Sequence, residues 1–267
     1  MKRKNYILII ILIFMGCGCI ELLGNSKFNT DKIIDKDECG RNIYQVSANG
    51  IDIGYKIIGA GEPLLLVMGL GGTMEEWPSE IIKRLSKHYQ NTISWFFLII
   101  EGWGYTTENE IPFTIKLLSE DVIGLIDALG IEQTNILGYS LGSVVTTKLL
   151  LDNLKRFKKA IIYTTSIDGS SVVKNLKDKL KNSSSKGKKI KNKDTILKQV
   201  AAAEFWRVPM NKVPLIKNDV MYIVGVDDSV VGTESSKKLV SVVPGACLVQ
   251  FENATGRLMW EAPIRYY

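Results

Sequence analysis

The chain has 267 residues, 46% of them hydrophobic, which is enough for one sizeable core and one main domain. Its formal net charge is +6, much of it in one lysine-rich segment, so charge argues only weakly for an anionic partner. Cys17, Cys19, Cys39 and Cys247 include no C-x-x-C pair, and the sole histidine is His88. That leaves few ligands for a zinc site and no clear disulfide framework; no metal or cofactor is expected.

The N-terminus has the character of a targeting segment. Lys2, Arg3 and Lys4 precede a continuously apolar run from Ile7 to Phe14. That run is short for a bilayer span and of the right length for a signal h-region. Phe14 to Cys19 resembles a lipoprotein processing box, in which a cysteine becomes the lipidated first residue. Cys17 is the better candidate and Cys19 the alternative. A short uncleaved anchor is the other reading, and both face the globular part outward from a membrane. The expectation is an exported, membrane-anchored lipoprotein with a leader over residues 1–19 and a polar tether over 20–40.

The main domain is expected to begin near Arg41. Asn42 to Ile58 alternates in part around Asn49-Gly50, a strong hairpin signal. Leu64 to Met68 is wholly apolar, as in a strand buried on both faces. Gly69-Leu70-Gly71-Gly72-Thr73 follows, with backbone N–H groups free to form a phosphate cradle or an oxyanion hole. Neither G-x-x-x-x-G-K-[ST] nor G-x-G-x-x-G occurs here, which argues against a nucleotide site. Helical character is expected from about Pro78 to His88 and a strand over Thr92–Ile100. Phe113 to Leu129 has apolar residues at helical spacing, and Gly130 suits its C-terminal cap.

Gly138-Tyr139-Ser140-Leu141-Gly142 then lies between an apolar strand and a helix-compatible run to Leu151. G-x-S-x-G in that context is a nucleophile elbow: the turn forces Ser140 into an unusual backbone conformation and exposes its hydroxyl. Lys159–Thr165 is a further strand. Asp168 to Lys193 holds nine lysines among Asn and Ser, with no aromatic residue for base stacking, so nucleic acid is not an expected partner. A solvated insertion or mobile lid, or a surface for anionic lipid, are the readings for it. Ile196–Trp206 is helical, Val220–Val224 a strand ending in Gly225-Val226-Asp227-Asp228, Ser235–Val242 helical, and Ala246–Phe251 the last strand. Alternating strands and helices predict an α/β fold, a mostly parallel sheet with helices on both faces. Gly69–Thr73, Ser140, Asp227–Asp228 and Gly256–Arg257 would meet at the carboxyl edge of that sheet.

These motifs, in this order, resemble the α/β-hydrolase superfamily from Arg41 on. The resemblance implies one domain over residues 41–267, with a cap insertion at about 168–217. It further implies Ser140 as nucleophile, the backbone amides of Leu70 and Leu141 as oxyanion hole, and Asp228 as triad acid, with Asp227 as the adjacent alternative. The substrate would be a small ester- or amide-type molecule. Arg257 stands where the superfamily has its catalytic histidine. Arginine stays protonated and cannot act as a general base. Gly102-Trp103-Gly104-Tyr105 resembles the end of the R-G-x-G turn, without its arginine, and the chain stops at Tyr267, where a final helix would begin. An esterase-like enzyme with an incomplete triad, and an inactive or binding member of the same fold at a membrane surface, are the two readings left open.

Overall fold

The structure is a computed structural model that describes residues 32–59, 62–79, 81–82, 93–98, 104–108, 110–184 and 193–261. The leader with Cys17 and Cys19, His88, Glu101 to Trp103, residues 185–192 and residues 262–267 lie outside them. Nine strands form one sheet: β1 (Lys32–Lys36), β2 (Asn42–Ala48), β3 (Ile51–Ile58), β4 (Glu62–Val67), β5 (Ile93–Leu98), β6 (Thr134–Tyr139), β7 (Phe157–Tyr163), β8 (Asp219–Gly225) and β9 (Cys247–Phe251). The order across the sheet is β1-β2-β3-β5-β4-β6-β7-β8-β9. The first three strands are antiparallel to their neighbours; the six from β5 to β9 run parallel.

The antiparallel part starts at the expected hairpin. Asn49 and Gly50 both have positive φ, 51° and 79°, and join β2 to β3 with Ala48 opposite Ile51. Two positive φ values give the turn the twist that matches its strands. β1 corrects one expectation, since it falls within the stretch assigned to the tether. Its polar sequence conceals it because, as an edge strand, only Ile34 is even partly buried.

The parallel strands are buried on both faces. Along β4, Leu65 and Val67 belong to one apolar cluster, and Leu64 and Leu66, with Met68 after the strand, to the other. Alternate side chains of one strand therefore feed two separate layers, which is why such strands read as unbroken apolar runs. α1 (Ile115–Ala128) and α2 (Leu141–Asp152) cover the first face. Thr114 Oγ1 caps α1 by accepting from the Leu117 N–H (3.0 Å). Gly130, at φ 69°, closes it, with Ile131 N–H bonded to Ile126 O (2.8 Å).

The insertion between β7 and β8 contains α3 (Gly169–Ser184) and α4 (Lys193–Glu204). Residues 169–184 of the insertion are thus helical. Lysine is a good helix former, and one apolar stripe through Val172, Val173 and Leu176 suffices to seat the helix. α5 (Glu234–Val240) precedes β9, and α6 (Leu258–Glu261) follows it, so a helix does begin after the last strand. No helix among the described residues is long and apolar enough to cross a membrane.

The chain passes from β4 outward to β5, then returns across β4 to β6. β4 and β6 are neighbours at this reversal, and their carboxyl ends carry Gly69–Gly72 and Ser140. A reversal of winding leaves a crevice between the connections, which is where open α/β sheets bind ligands.

Candidate active site

β6 ends at Tyr139 and α2 starts at Leu141, so Ser140 alone makes the turn between them. Its φ is 52° and ψ −115°, a conformation that is costly for a residue with a side chain. Surrounding bonds hold it there. The Ser140 N–H donates to Tyr163 O (3.0 Å), and its carbonyl accepts from the Ser143 N–H (2.9 Å) and Ser143 Oγ (2.5 Å). The strand and helix approach so closely that two positions require glycine. A Cβ on Gly138 would lie 2.3 Å from Gly142 O, and one on Gly142 would lie 2.1 Å from Val67 O. Ser140 is left half-buried at the amino end of α2.

The loop after β4 runs alongside. A Cβ on Gly69 would reach within 3.0 Å of Ser140 Cβ. Leu70 and Leu141 both line the pocket that contains Ser140. The Gly71 N–H donates to Oε1 of Gln199 (3.0 Å), a fully buried side chain of α4. The cap therefore grips the loop on this side of the serine. From behind, buried Lys56 pairs with Asp37 Oδ2 (3.0 Å) and with Glu75 Oε1 (3.0 Å), just past the loop.

On the other side, Asp228 is buried at the end of the β8 turn. Its Oδ1 accepts from the N–H groups of Val230 (2.9 Å) and Val231 (3.0 Å). Its Oδ2 is buried with no hydrogen-bond partner among the described residues. Asp227 is exposed, and its backbone N–H bonds to Ala254 O (2.8 Å). Of the two acids, only Asp228 is turned into the fold. Gly256 lies flush on it: a Cβ there would meet Asp228 Oδ2 at 2.4 Å. Asn175 of α3 donates to Val230 O (3.0 Å), so the cap is tied to this side too.

Arg257 follows Gly256 but does not pair with Asp228. It is exposed, its N–H donates to Thr255 Oγ1 (3.0 Å), and its guanidinium lies 5.7 Å from the Trp260 ring centre. Trp260 in turn donates from Nε1 to Glu76 O (2.7 Å) and packs 4.7 Å from the Tyr139 ring. Burial raises the Glu76 carboxyl above its ordinary range, against the attraction of Arg257. The arginine thus belongs to an aromatic and acidic cluster beside the elbow. No titratable side chain among the pocket-lining residues stands ready to take a proton from Ser140. Among the described residues no group of three His, Cys, Asp or Glu is placed to hold a metal.

Between the elbow and the cap lies a small pocket, partly open to solvent. Ser140, Thr164 and Ser166 line it from the sheet side, and Val172, Leu176, Val200 and Trp206 from the cap. Sequence reasoning assigned Ser140, Leu70, Leu141 and Asp228, and the fold brings all four to this edge. It missed Gln199, Thr164 and the apolar cap lining. The cap's one apolar stripe was legible in the spacing of Val172, Val173 and Leu176, but nothing in the sequence marks Gln199 or Thr164.

A family model for the α/β hydrolase fold matches residues 62–186. The ethanol acetyltransferase 1 of Hanseniaspora uvarum is 31% identical over 112 residues, 42% of this chain and 31% of that protein. The (E)-2-((N-methylformamido)methylene)succinate hydrolase of Acinetobacter baylyi is 35% identical over 89 residues, 33% of this chain and 32% of that protein. The chain spans less than half the length of these curated relatives. Among solved structures, the enol-lactonase from Burkholderia xenovorans superposes with a TM-score of 0.66 at 19% identity, covering 78% of this chain and 90% of that one. The strand order, the elbow at Ser140 and these likenesses agree, and the chain has the α/β-hydrolase fold.

Proposed function

We propose that this protein is an esterase-like serine hydrolase of small ester- or amide-type substrates. The observation that carries the reading is Ser140 held at φ 52° at the floor of a pocket, beside the loop that follows β4. Ser140 Oγ would attack the substrate carbonyl. The N–H groups of Leu70 and Leu141 would stabilise the resulting oxyanion, the largest single contribution such a site makes. Asp228 would hold the acid's place. The relatives described as a hydrolase, a lactonase and an acetyltransferase support acyl chemistry at this edge. With no base in contact with Ser140 among the described residues, the expected turnover is slow, of the order of the ~10³–10⁴-fold over water that binding and an oxyanion hole supply alone. The test is hydrolysis of p-nitrophenyl butyrate by the wild type against Ser140→Ala. Equal rates would sink the reading.

A second reading, a binding protein that has lost catalysis, is favoured by one observation: Asp228 Oδ2 is buried without a partner among the described residues while Arg257 turns toward Trp260. It predicts negligible labelling of Ser140 by a fluorophosphonate probe, and rapid stoichiometric labelling would exclude it. For location, the proposal is export and lipid anchoring through Cys17. Incorporation of an alkyne-tagged fatty acid should vanish in Cys17→Ser; persistence there, with loss in Cys19→Ser, would move the anchor.

A further inference from the structure

We infer that Gln199 is a positioning residue of this site: reaching in from the cap, it fixes the turn that presents the Leu70 N–H beside Ser140. The inference rests on the reading of Ser140 as a nucleophile whose oxyanion that N–H would stabilise.

The loop after β4 has little rigidity of its own. The Gly72 N–H donates to Gly69 O (3.1 Å), which closes residues 69–72 into a β-turn with Leu70 and Gly71 at its centre. Gly71 has φ 64°, and Leu70 lies outside the positive-φ region. That combination is a type II turn, which needs glycine at its third position. Glycine there also admits the type I geometry, in which the Leu70–Gly71 peptide is turned over. The closing bond from Gly72 to Gly69 is common to both geometries, so it does not choose between them.

Gln199 makes the choice. Its Oε1 accepts from the Gly71 N–H at 3.0 Å, and this N–H belongs to the peptide whose orientation separates the two turns. Turning that peptide over would swing the N–H away and set the Leu70 carbonyl against Oε1, oxygen facing oxygen. Gln199 is 1% exposed, so losing the bond would leave a buried amide oxygen unpaired, which is costly. On the other side of Leu70, Gly69 lies against Ser140. Leu70 is therefore held from both ends. It lines the same pocket as Ser140 and the α4 residues Val200 and Ala203. α4 is itself anchored next to Gln199: Lys198 pairs with Glu108 Oε1 (2.8 Å) and lies 5.7 Å from the Phe113 ring centre. Seating of the cap and geometry of the oxyanion loop are thus coupled through Gln199.

The test uses the full chain, with p-nitrophenyl butyrate turnover and amide hydrogen exchange as readouts. Gln199→Met keeps the length and helix preference of the side chain but removes the acceptor. Gln199→Glu keeps an oxygen in its place, and Lys198→Met removes a neighbouring tie of α4 without touching the loop. Gln199→Met should lower kcat ~10- to 100-fold and leave KM within ~2-fold, because an oxyanion donor acts in the transition state. It should also speed exchange of the Gly71 amide ~5- to 10-fold, the worth of one hydrogen bond. Gln199→Glu should bring both readouts to within ~3-fold of the wild type, and Lys198→Met should leave both within ~2-fold. Gln199→Asn, which withdraws the amide by one methylene, gives the same directions should the methionine variant not fold. Unchanged Gly71 exchange without the Gln199 acceptor overturns the inference, and so does faster exchange with unaltered kcat. An equal loss of kcat in Lys198→Met also overturns it, since the cap would then act only by being seated. If the wild type shows no Ser140-dependent turnover, the enzymatic reading fails, and Gly71 exchange alone decides whether Gln199 holds the turn.

Discussion

The two flanks of Ser140 differ in how completely they are built. On the β4 side, Gly69 touches the serine, Gln199 of the cap accepts from Gly71, and the Lys56 pairs brace the segment from behind. On the β8 side the acid is equally well placed: Asp228 is buried, two N–H groups hold one oxygen, and Gly256 makes room for it. Among the described residues no group uses its second oxygen. The difference teaches that one sheet edge can brace one side of the elbow through side-chain contacts and hold on the other side a buried carboxylate oxygen that no described residue uses.

The largest expected effect comes from supplying a group for that oxygen. Arg257→His should raise p-nitrophenyl ester turnover ~10²- to 10⁴-fold over the wild type, the usual contribution of a positioned general base. The gain should disappear in Arg257→His combined with Asp228→Asn, because the carboxylate orients the imidazole and stabilises its charged form. If Arg257→His changes nothing while Ser140 still labels, the two flanks differ by more than one residue.

A smaller effect compares the two glycines that make each flank possible. Gly142→Ala drives a Cβ against the Val67 carbonyl at 2.1 Å, and Gly256→Ala drives one against the Asp228 carboxylate at 2.4 Å. Backbone cannot yield as a side chain can. Gly142→Ala should therefore cost ~3 kcal/mol and Gly256→Ala closer to ~1 kcal/mol, at the two ends of the overpacking range. Urea denaturation of both variants checks the order, and a reversal would mean that Asp228 is held more rigidly than the elbow.

The smallest effect probes the bracing behind the β4 flank. Burial pushes the Asp37 carboxyl up, but the Arg41 N–H, Lys56 and the Arg41 side chain outweigh it and hold it below the ordinary carboxylate range. A depressed pKa in the folded state means that the stabilisation is present above the unfolded value of ~3.9 and is lost as pH falls below it. The stability difference between wild type and Asp37→Asn should be constant from about pH 7 to 5 and shrink below about pH 4. A difference that grows on acidification would contradict the assignment.

Much of this fold was legible because parallel strands buried on both faces leave unmistakable apolar runs, as Leu64–Met68 and Val220–Val224 do, and because Asn49-Gly50 and Gly130 announce a turn and a cap. β1 was not legible, since an edge strand with one partly buried residue has no apolar pattern to show. α3 was obscured in the same way by its lysines. Within the site, Ser140 was visible because the glycines that permit its turn are close in sequence. That Asp228 is buried and Asp227 exposed needed the structure, because neighbouring residues on a turn point in opposite directions.

The sequence by itself determined the elbow, the order of the strands from β2 on and of most helices, and the absence of histidine at position 257, all of which are local or periodic properties of the chain. Only the tertiary structure decided that Asp228 lies against Gly256 with one oxygen unpaired among the described residues, and that Gln199 reaches Gly71. Gln199 and Gly71 are separated by 128 positions. No local propensity encodes contacts at that separation; they exist because packing two layers onto one sheet brings distant segments to the same edge.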